Sequence, residues 1–345
     1  MKRSRRRKIL IGLVVLMAAI FACVAPANEE IATEVLDTQT PIPADTATIA
    51  PSPLPAETQI PTEITDEAGV VMVLVPAGSF SMGYPYTLWA EAECLFLKVE
   101  GECDGAWFTN ETPDHQVYLD NFYIDQYEVS NAAYQECVAS NRCQPPESTR
   151  SATHSSYYGN PAYDNYPVIN LTWDMARNYC SWRGARLPTE AEWEKAARGP
   201  AGYQYPWGDS FDGQYANFCD LNCPYDPIID WPKLYPNPNF EDGFGDVAPV
   251  DAYSDGVSAY QIYNLAGNVR EWVWDWYDYE FYSRSSENNP TGPSQSKPIL
   301  GGPVRSVRGG SWSDQGYMLR ATSRDSMPPD SYRNDLGFRC ASTLK

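Results

Sequence analysis

Nine cysteines are the most reactive side chains in this sequence, and their spacing is not random. Six lie in close pairs: Cys94 with Cys103, Cys137 with Cys143, and Cys219 with Cys223. Cys180 and Cys340 are left over, and Cys23 stands apart near the start. Thiols this near each other form short-loop disulfides in an oxidising compartment or, as thiolates, hold a soft metal. Cys219-x-x-x-Cys223 has Asp226 where a radical iron–sulfur motif needs a third cysteine. Only two histidines, His115 and His154, occur, far apart. Disulfides are therefore favoured over metal. A different chemistry is offered by Glu241-Asp242-Gly243-Phe244-Gly245-Asp246, an acidic, turn-prone run that could wrap a hard cation such as calcium. There is no nucleophile elbow, phosphate loop or zinc motif.

The elements that must position these groups lie late in the chain. All 11 tryptophans fall beyond position 88, and Phe21 is the only aromatic before position 72. Residues 1–8 hold six basic side chains; without them the net charge moves from −20 to −26, with 19 basic against 45 acidic residues. So acidic a body repels phosphate backbones and excludes nucleic acid as a partner. Residues 9–22 are apolar, too short for an ordinary membrane span and of signal-peptide length. Ile20-Phe21-Ala22-Cys23 resembles a bacterial lipobox, which makes residues 1–22 a lipoprotein-like signal peptide and Cys23 the lipidation site; an uncleaved apolar anchor is the other reading. Residues 23–66 are rich in Pro, Thr and Ala and bury too little to fold, so they read as a stalk. The expectation is an exported protein held at a membrane by its N-terminus, at the cell surface or in the periplasm.

Residues 67–345 then form one domain. Strands are expected over 70–76, 78–83, 116–119 and 122–125. Helices are expected over Asn131 to Ala139 with Ser130 as cap, from Thr172 to Arg183 with Gly184 as stop, and from Thr189 to Gly199. In the last, Thr189 and Glu192 form a capping box, and Trp193, Ala196 and Ala197 make a core face. Residues 200–345 are loop-rich. The fold class is α+β, with irregular structure dominating.

Several segments, in order, carry a resemblance. They are Val75-Pro76-Ala77-Gly78-Ser79-Phe80-Ser81-Met82-Gly83, Tyr123-Ile124-Asp125-Gln126-Tyr127-Glu128-Val129-Ser130-Asn131, Ala185-Arg186-Leu187-Pro188-Thr189-Glu190-Ala191-Glu192-Trp193-Glu194 and Tyr205-Pro206-Trp207-Gly208. Then follow Tyr263-Asn264-Leu265-Ala266-Gly267-Asn268-Val269-Arg270-Glu271-Trp272, Arg308-Gly309-Gly310-Ser311-Trp312 and Leu336-Gly337-Phe338-Arg339-Cys340. The chain resembles the sulfatase-modifying-factor family, which includes the formylglycine-generating enzyme, over about residues 70–342. The resemblance implies a single, loop-rich domain related to the C-type lectin fold and a disulfide between Cys180 and Cys340. It also implies two structural calcium sites, one at Asn264, Gly267, Val269 and Glu271, the other at Asn217, Phe218, Asp242 and Phe244. Turn-capping by the same carboxylates is the other reading, and calcium is favoured over it.

The generating enzyme oxidises a substrate cysteine with copper held by two thiolates. The family pattern puts the first thiolate two residues after the aromatic of Gly-Gly-Ser-aromatic, which here is Asp314, and Gln315 to Leu319 supply no second one. A carboxylate cannot replace a thiolate on Cu(I). Copper is therefore not expected, and no catalytic residue is assigned. The iron-dependent branch of the family needs a His-x-x-x-His-x-Glu site, which is also absent; His115 reads as a strand-ordering residue. The favoured function is a binding or scaffolding module for a protein, peptide or glycan, alone or within an envelope complex, with Trp312, Ser313, Asp314, Gln315 and Tyr317 lining a vestigial cleft. Core packing is the other reading of Trp312. The alternative function is an enzyme, either an active formylglycine-generating oxidase or one using Asp314 with Arg320 or Arg324.

Overall fold

The computed structural model describes residues 60–98, 102–224, 236–297 and 301–343. The expected signal peptide, Cys23 and residues 24–59 of the expected stalk lie outside the described residues. Among those described, no helix is long and apolar enough to cross a membrane.

Among the described residues, three small sheets and four α-helices make up the frame of the domain. The first sheet has the order β1-β2-β5-β10, from β1 (Glu63–Thr65), β2 (Val71–Val75), β5 (Phe122–Asp125) and β10 (Ala341–Thr343), all antiparallel. β1 falls in residues whose composition reads as stalk. It forms because Glu63 and Thr65 pair with Val73 and Val71 on the open edge of β2. The second sheet is the hairpin of β3 (Gly78–Met82) and β4 (His115–Leu119). The third has the order β8-β7-β6-β9, built from β6 (Arg270–Trp276), β7 (Arg305–Arg308), β8 (Asp325–Met327) and β9 (Leu336–Phe338), with β9 parallel to β6. This is the α+β, loop-rich single domain that the motifs imply.

Between β3 and β4 the chain makes a detour that the sequence did not announce. α1 (Thr87–Leu97) has no side-chain cap at its N-terminus, so no start signal marks it. A 3-10 helix, Gly105–Glu111, follows, and Cys94–Cys103 fastens the two together. Ala90, Cys94 and Leu97 face inward. Leu88, Trp89, Leu95 and Phe96 form an exposed apolar stripe on the other side, with Phe96 84% exposed.

The other helices keep close to their expected limits. α2 (Asn131–Ala139) is capped by the Ser130 hydroxyl, which accepts from the Ala133 N–H. α3 (Trp173–Trp182) is capped likewise by Thr172. In α4 (Glu190–Arg198) the Glu192 N–H donates to Thr189 Oγ1 at 3.2 Å, the Thr189 N–H donates to Glu192 Oε2 at 2.8 Å, and Gly199 closes the helix at φ +62°. All of α4 is buried, charged residues included. One core gathers Tyr134, Tyr179, Trp272 and Phe338 between α2, α3 and the third sheet; a second gathers Trp193, Ala196, Ile124 and Val273 around α4.

Four disulfides join Cys94 to Cys103, Cys137 to Cys143, Cys180 to Cys340 and Cys219 to Cys223. Cys180–Cys340 spans 160 residues and fastens α3 to the end of the chain. In the loop-entropy account a closure of that length contributes most, about 5 kcal/mol. Replacing Cys180 and Cys340 together by Ala should therefore lower unfolding free energy by about 2–5 kcal/mol in urea titrations, more than the same change at Cys137 and Cys143, which span 6 residues.

Candidate functional site

The loop after β7 carries the residues expected to line a cleft. Gly309 and Gly310 sit at φ +93° and +67°. A Cβ on Gly310 would lie 3.0 Å from Leu319 Cδ1 and 3.1 Å from Met318 O, so the chain turns back on itself here at the cost of any side chain. The turn drives Trp312 inward. Its backbone N–H donates to Asn268 O at 2.9 Å, its indole N–H to Asn334 O at 3.2 Å, and its ring packs beside Cys219, Cys223, Val247 and Val269. Trp312 is thus a core residue, and the reading of it as a cleft wall is corrected. Ser313, Gln315 and Tyr317 are half-buried.

Asp314, the position that lacks a thiol, is held in a buried charge cluster. Its carboxylate accepts from Arg270 Nη2 and from Ser311 Oγ, the latter at 2.9 Å. Arg270 also donates to Asp335, which is bound in turn by Arg333 at 2.7 and 2.8 Å. Burial pushes the Asp314 carboxyl up, and Arg270 opposes that. Burial also acts against Asp335, but Arg270 and Arg333 hold it down at about 2. The space beside Asp314 is a cavity of about 10 Å3, too small for a substrate side chain.

The arginines paired with Asp314 in the enzymatic alternative are committed elsewhere. Arg320 makes a bidentate pair with Glu111, at 2.6 and 2.8 Å, and Arg324 makes one with Glu190, at 2.7 and 3.0 Å. Both guanidiniums are buried. Glu111 ends the stapled detour, and Phe108 of the same detour meets Tyr317 edge-on, ring centres 6.3 Å apart. The detour therefore packs against the C-terminal loop.

The two expected calcium sets differ in what surrounds them. In the first, Asn217 is buried, and its Nδ2 donates to Asp246 O at 2.8 Å, in the loop that also carries Asp242 and Phe244. Its Oδ1 is buried without a hydrogen-bond partner. The Asp242 N–H donates to Asp220 Oδ2 at 2.6 Å, and the Asp242 carboxylate accepts from the Phe244 N–H and the Tyr253 hydroxyl. Burial raises Asp242 to about 6, and the Asp220 charge adds to this against its hydrogen bonds. A hollow of about 480 Å3 opens beside Asp242, Phe244 and Tyr253. In the second set, Glu271 is already answered. Arg339 donates to both its oxygens at 2.7–3.0 Å, and the Trp193 indole donates at 2.9 Å. Asn264 Nδ2 donates to Glu128 Oε2 at 2.7 Å and Val250 O at 3.0 Å. Among the described residues, no three His, Cys, Asp or Glu side chains gather as metal ligands, so either set would rely on amide and backbone oxygens.

Two residues of this region escaped the sequence reading. Asn268 links the sets, its Oδ1 accepting from Asn217 Nδ2 and the Ala248 N–H, its Nδ2 donating to Glu128 Oε1. Glu128 is pushed up to about 8, by burial first, with Arg339 opposing. The only signal was two asparagines four apart, Asn264 and Asn268, both at left-handed φ, +53° and +60°.

The profile of the sulfatase-modifying factor enzyme 1-like domain matches residues 58–344. The formylglycine-generating enzyme of Mus musculus is 31% identical over 314 residues, covering 79% of this chain and 74% of that enzyme. The inactive C-alpha-formylglycine-generating enzyme 2 of Bos taurus is 36% identical over 184 residues, 51% of this chain and 50% of that protein. Among solved structures, PvdO from Pseudomonas aeruginosa superposes with a TM-score of 0.58 at 23% identity, covering 83% of this chain and all of that one.

Removing Arg270 tests the charge cluster. Arg270→Met strands Asp314 and should cost about 3–5 kcal/mol at pH 7. The stranded carboxyl then has a folded pKa above its unfolded value, so its contribution is most favourable below the unfolded pKa and is lost as pH rises. The deficit should shrink between pH 7 and pH 4 in urea titrations at the two values.

Proposed function

Because this chain belongs to the family of the sulfatase-modifying factor enzyme 1-like domain, which includes formylglycine-generating enzymes and inactive relatives of them, we propose that it is a non-catalytic binding or scaffolding domain, exported and held at a membrane by its N-terminus. The observation that carries this reading is the state of Asp314. Where the copper chemistry needs a thiolate, a carboxylate is buried in an ion pair with Arg270. The loop from Gln315 to Leu319 contains no cysteine, and Cys340 is bonded to Cys180. An enzyme using Asp314 with Arg320 or Arg324 has less support, since each of the three is neutralised by a different partner.

Calcium is part of the proposal at one set only. The orphaned Oδ1 of Asn217, beside a loop where Asp220 and Asp242 lie together, suits a hard cation taken up by Asn217, Asp242 and the carbonyls of Phe218 and Phe244. Bound there it would tie two loops that have few regular hydrogen bonds. The set around Glu271 does not fit, because Arg339 already supplies the positive charge.

Two measurements test the reading. Incubation with copper, reductant, oxygen and a peptide carrying Cys-x-Pro-x-Arg should give no formylglycine by mass spectrometry, beside an active control enzyme; conversion would overturn the proposal. Calcium should raise the thermal midpoint, by the equivalent of about 2.7 kcal/mol at a hundredfold excess over Kd, and Asn217→Ala should remove most of the difference between calcium and chelator.

A further inference from the structure

A second hollow, of about 620 Å3, lies between the β4–β5 turn, the start of α4 and the outer face of β6. That volume is within the range of small-molecule sites, roughly 300–1,000 Å3. It shares no lining residue with the C-terminal loop or with either calcium set. Its walls are built rather than incidental. The Asp120 N–H donates to Asn289 Oδ1 at 2.9 Å, and Asn289 Nδ2 donates back to Asp120 Oδ2 at 3.0 Å. Asn289 stands at φ +44°, fixed by its own N–H on Tyr118 O at 2.8 Å. Beside it, Asn121 Oδ1 accepts from the Ala77 N–H at 2.5 Å, which leaves its amide N–H groups available to a ligand. A carboxylate acceptor and two amide donors are thus held side by side on one rim. Trp274, 38% exposed, forms another wall and leans on Trp173, ring centres 5.7 Å apart.

The charges decide the ligand class. Glu192 and Arg186 lie on the wall but neutralise each other through two 2.6 Å hydrogen bonds. A helix N-terminus is the usual seat for an anion. Here Glu192 takes the Thr189 N–H and Thr189 takes the Glu192 N–H, and Glu190 and Glu192 add negative charge to that first turn. Asp120 adds a further carboxylate to the lining, so phosphates and carboxylates are repelled. With Arg186 and Glu192 paired to each other, the hollow offers a polar rim beside apolar walls from Leu119, Phe122, Trp274 and Pro290, which suits a ligand with both kinds of surface. What fits is an uncharged ring with one apolar face and several hydroxyls. The apolar face covers the indole, and neighbouring hydroxyls donate to the Asp120 carboxylate and accept from the Asn289 and Asn121 amides. We propose that this hollow, formed by Trp274 and the Asp120–Asn289–Asn121 rim, is a binding site for a neutral carbohydrate. The assignment goes beyond the binding-module reading and stands whether or not the C-terminal loop is catalytic.

The test uses the purified full chain and neutral probes: glucose, galactose, mannose, N-acetylglucosamine and short oligomers of each, read by saturation-transfer NMR and calorimetry. At least one probe should bind saturably. Trp274→Ala and Asn289→Ala should each weaken it about tenfold or more, and glucuronate and hexose phosphates should bind less well. Trp274 also packs on Trp173, so Thr291→Arg, which fills the hollow from an exposed loop position, is the second variant and should abolish binding with an unchanged unfolding midpoint. The proposal is overturned if no neutral probe binds the folded chain at millimolar concentrations, if the charged sugars bind better, or if the variants leave the affinity unchanged.

Discussion

Helix α4 is buried along its whole length, yet five of its nine residues are charged. Taking these groups out of water costs several kcal/mol for each ion unless a partner is supplied, and the rest of the domain is arranged around supplying them. Arg308 of β7 reaches Glu190 and Glu194, and Arg324 reaches Glu190. Burial works against the Glu190 charge, but Arg324 and Arg308 hold its carboxyl below the usual range. Lys195 donates to Pro76 O and Gly78 O, and Arg198 to Ser81 O and Gly83 O, which pins the β3 hairpin to the helix. Pro76 and Gly83 flank β3 and Gly78 and Ser81 lie within it, so Lys195 and Arg198 hold the strand near both of its ends. The helix is therefore a polar hub to which the strand hairpin and the third sheet are fitted.

The same economy governs the C-terminal loop. Arg270, Arg320 and Arg324 are each neutralised by a carboxylate from a different part of the chain. Glu111 comes from the stapled detour between β3 and β4, so this detour and the neutralised loop form one unit.

Much of this was legible beforehand, and the reasons are specific. Ser130, Thr172 and Thr189 mark helix starts because a side-chain oxygen in that place satisfies an orphan N–H, and all three do so. The strands β2 to β5 showed themselves as apolar runs broken by glycine or proline. By contrast, α1 begins after Tyr86 without a side-chain cap, and apolar residues lie on both its buried and its exposed face, so no period shows. The strands β7 to β10 have three or four residues each, too few for alternation to register. Buried arginines were illegible for a different reason: nothing local separates Arg308 or Arg339 from an exposed arginine, since the carboxylate that keeps each inside lies 114 or 68 residues away. Trp312 was ambiguous because burial of an aromatic next to a double-glycine turn depends on which way the turn throws it.

The last strands have a consequence for how such a chain comes into being. β9 completes the third sheet beside β6, β10 completes the first beside β5, Arg339 between them fills the space under Glu271, and Cys340 closes onto α3. All of this resides in residues 336–343, which are made after every other strand of the domain. Neither large sheet has its full set of strands until these residues have left the exit tunnel, so the domain closes only once all of it has been made. A truncation that removed these eight residues would take the closing piece of both sheets at once.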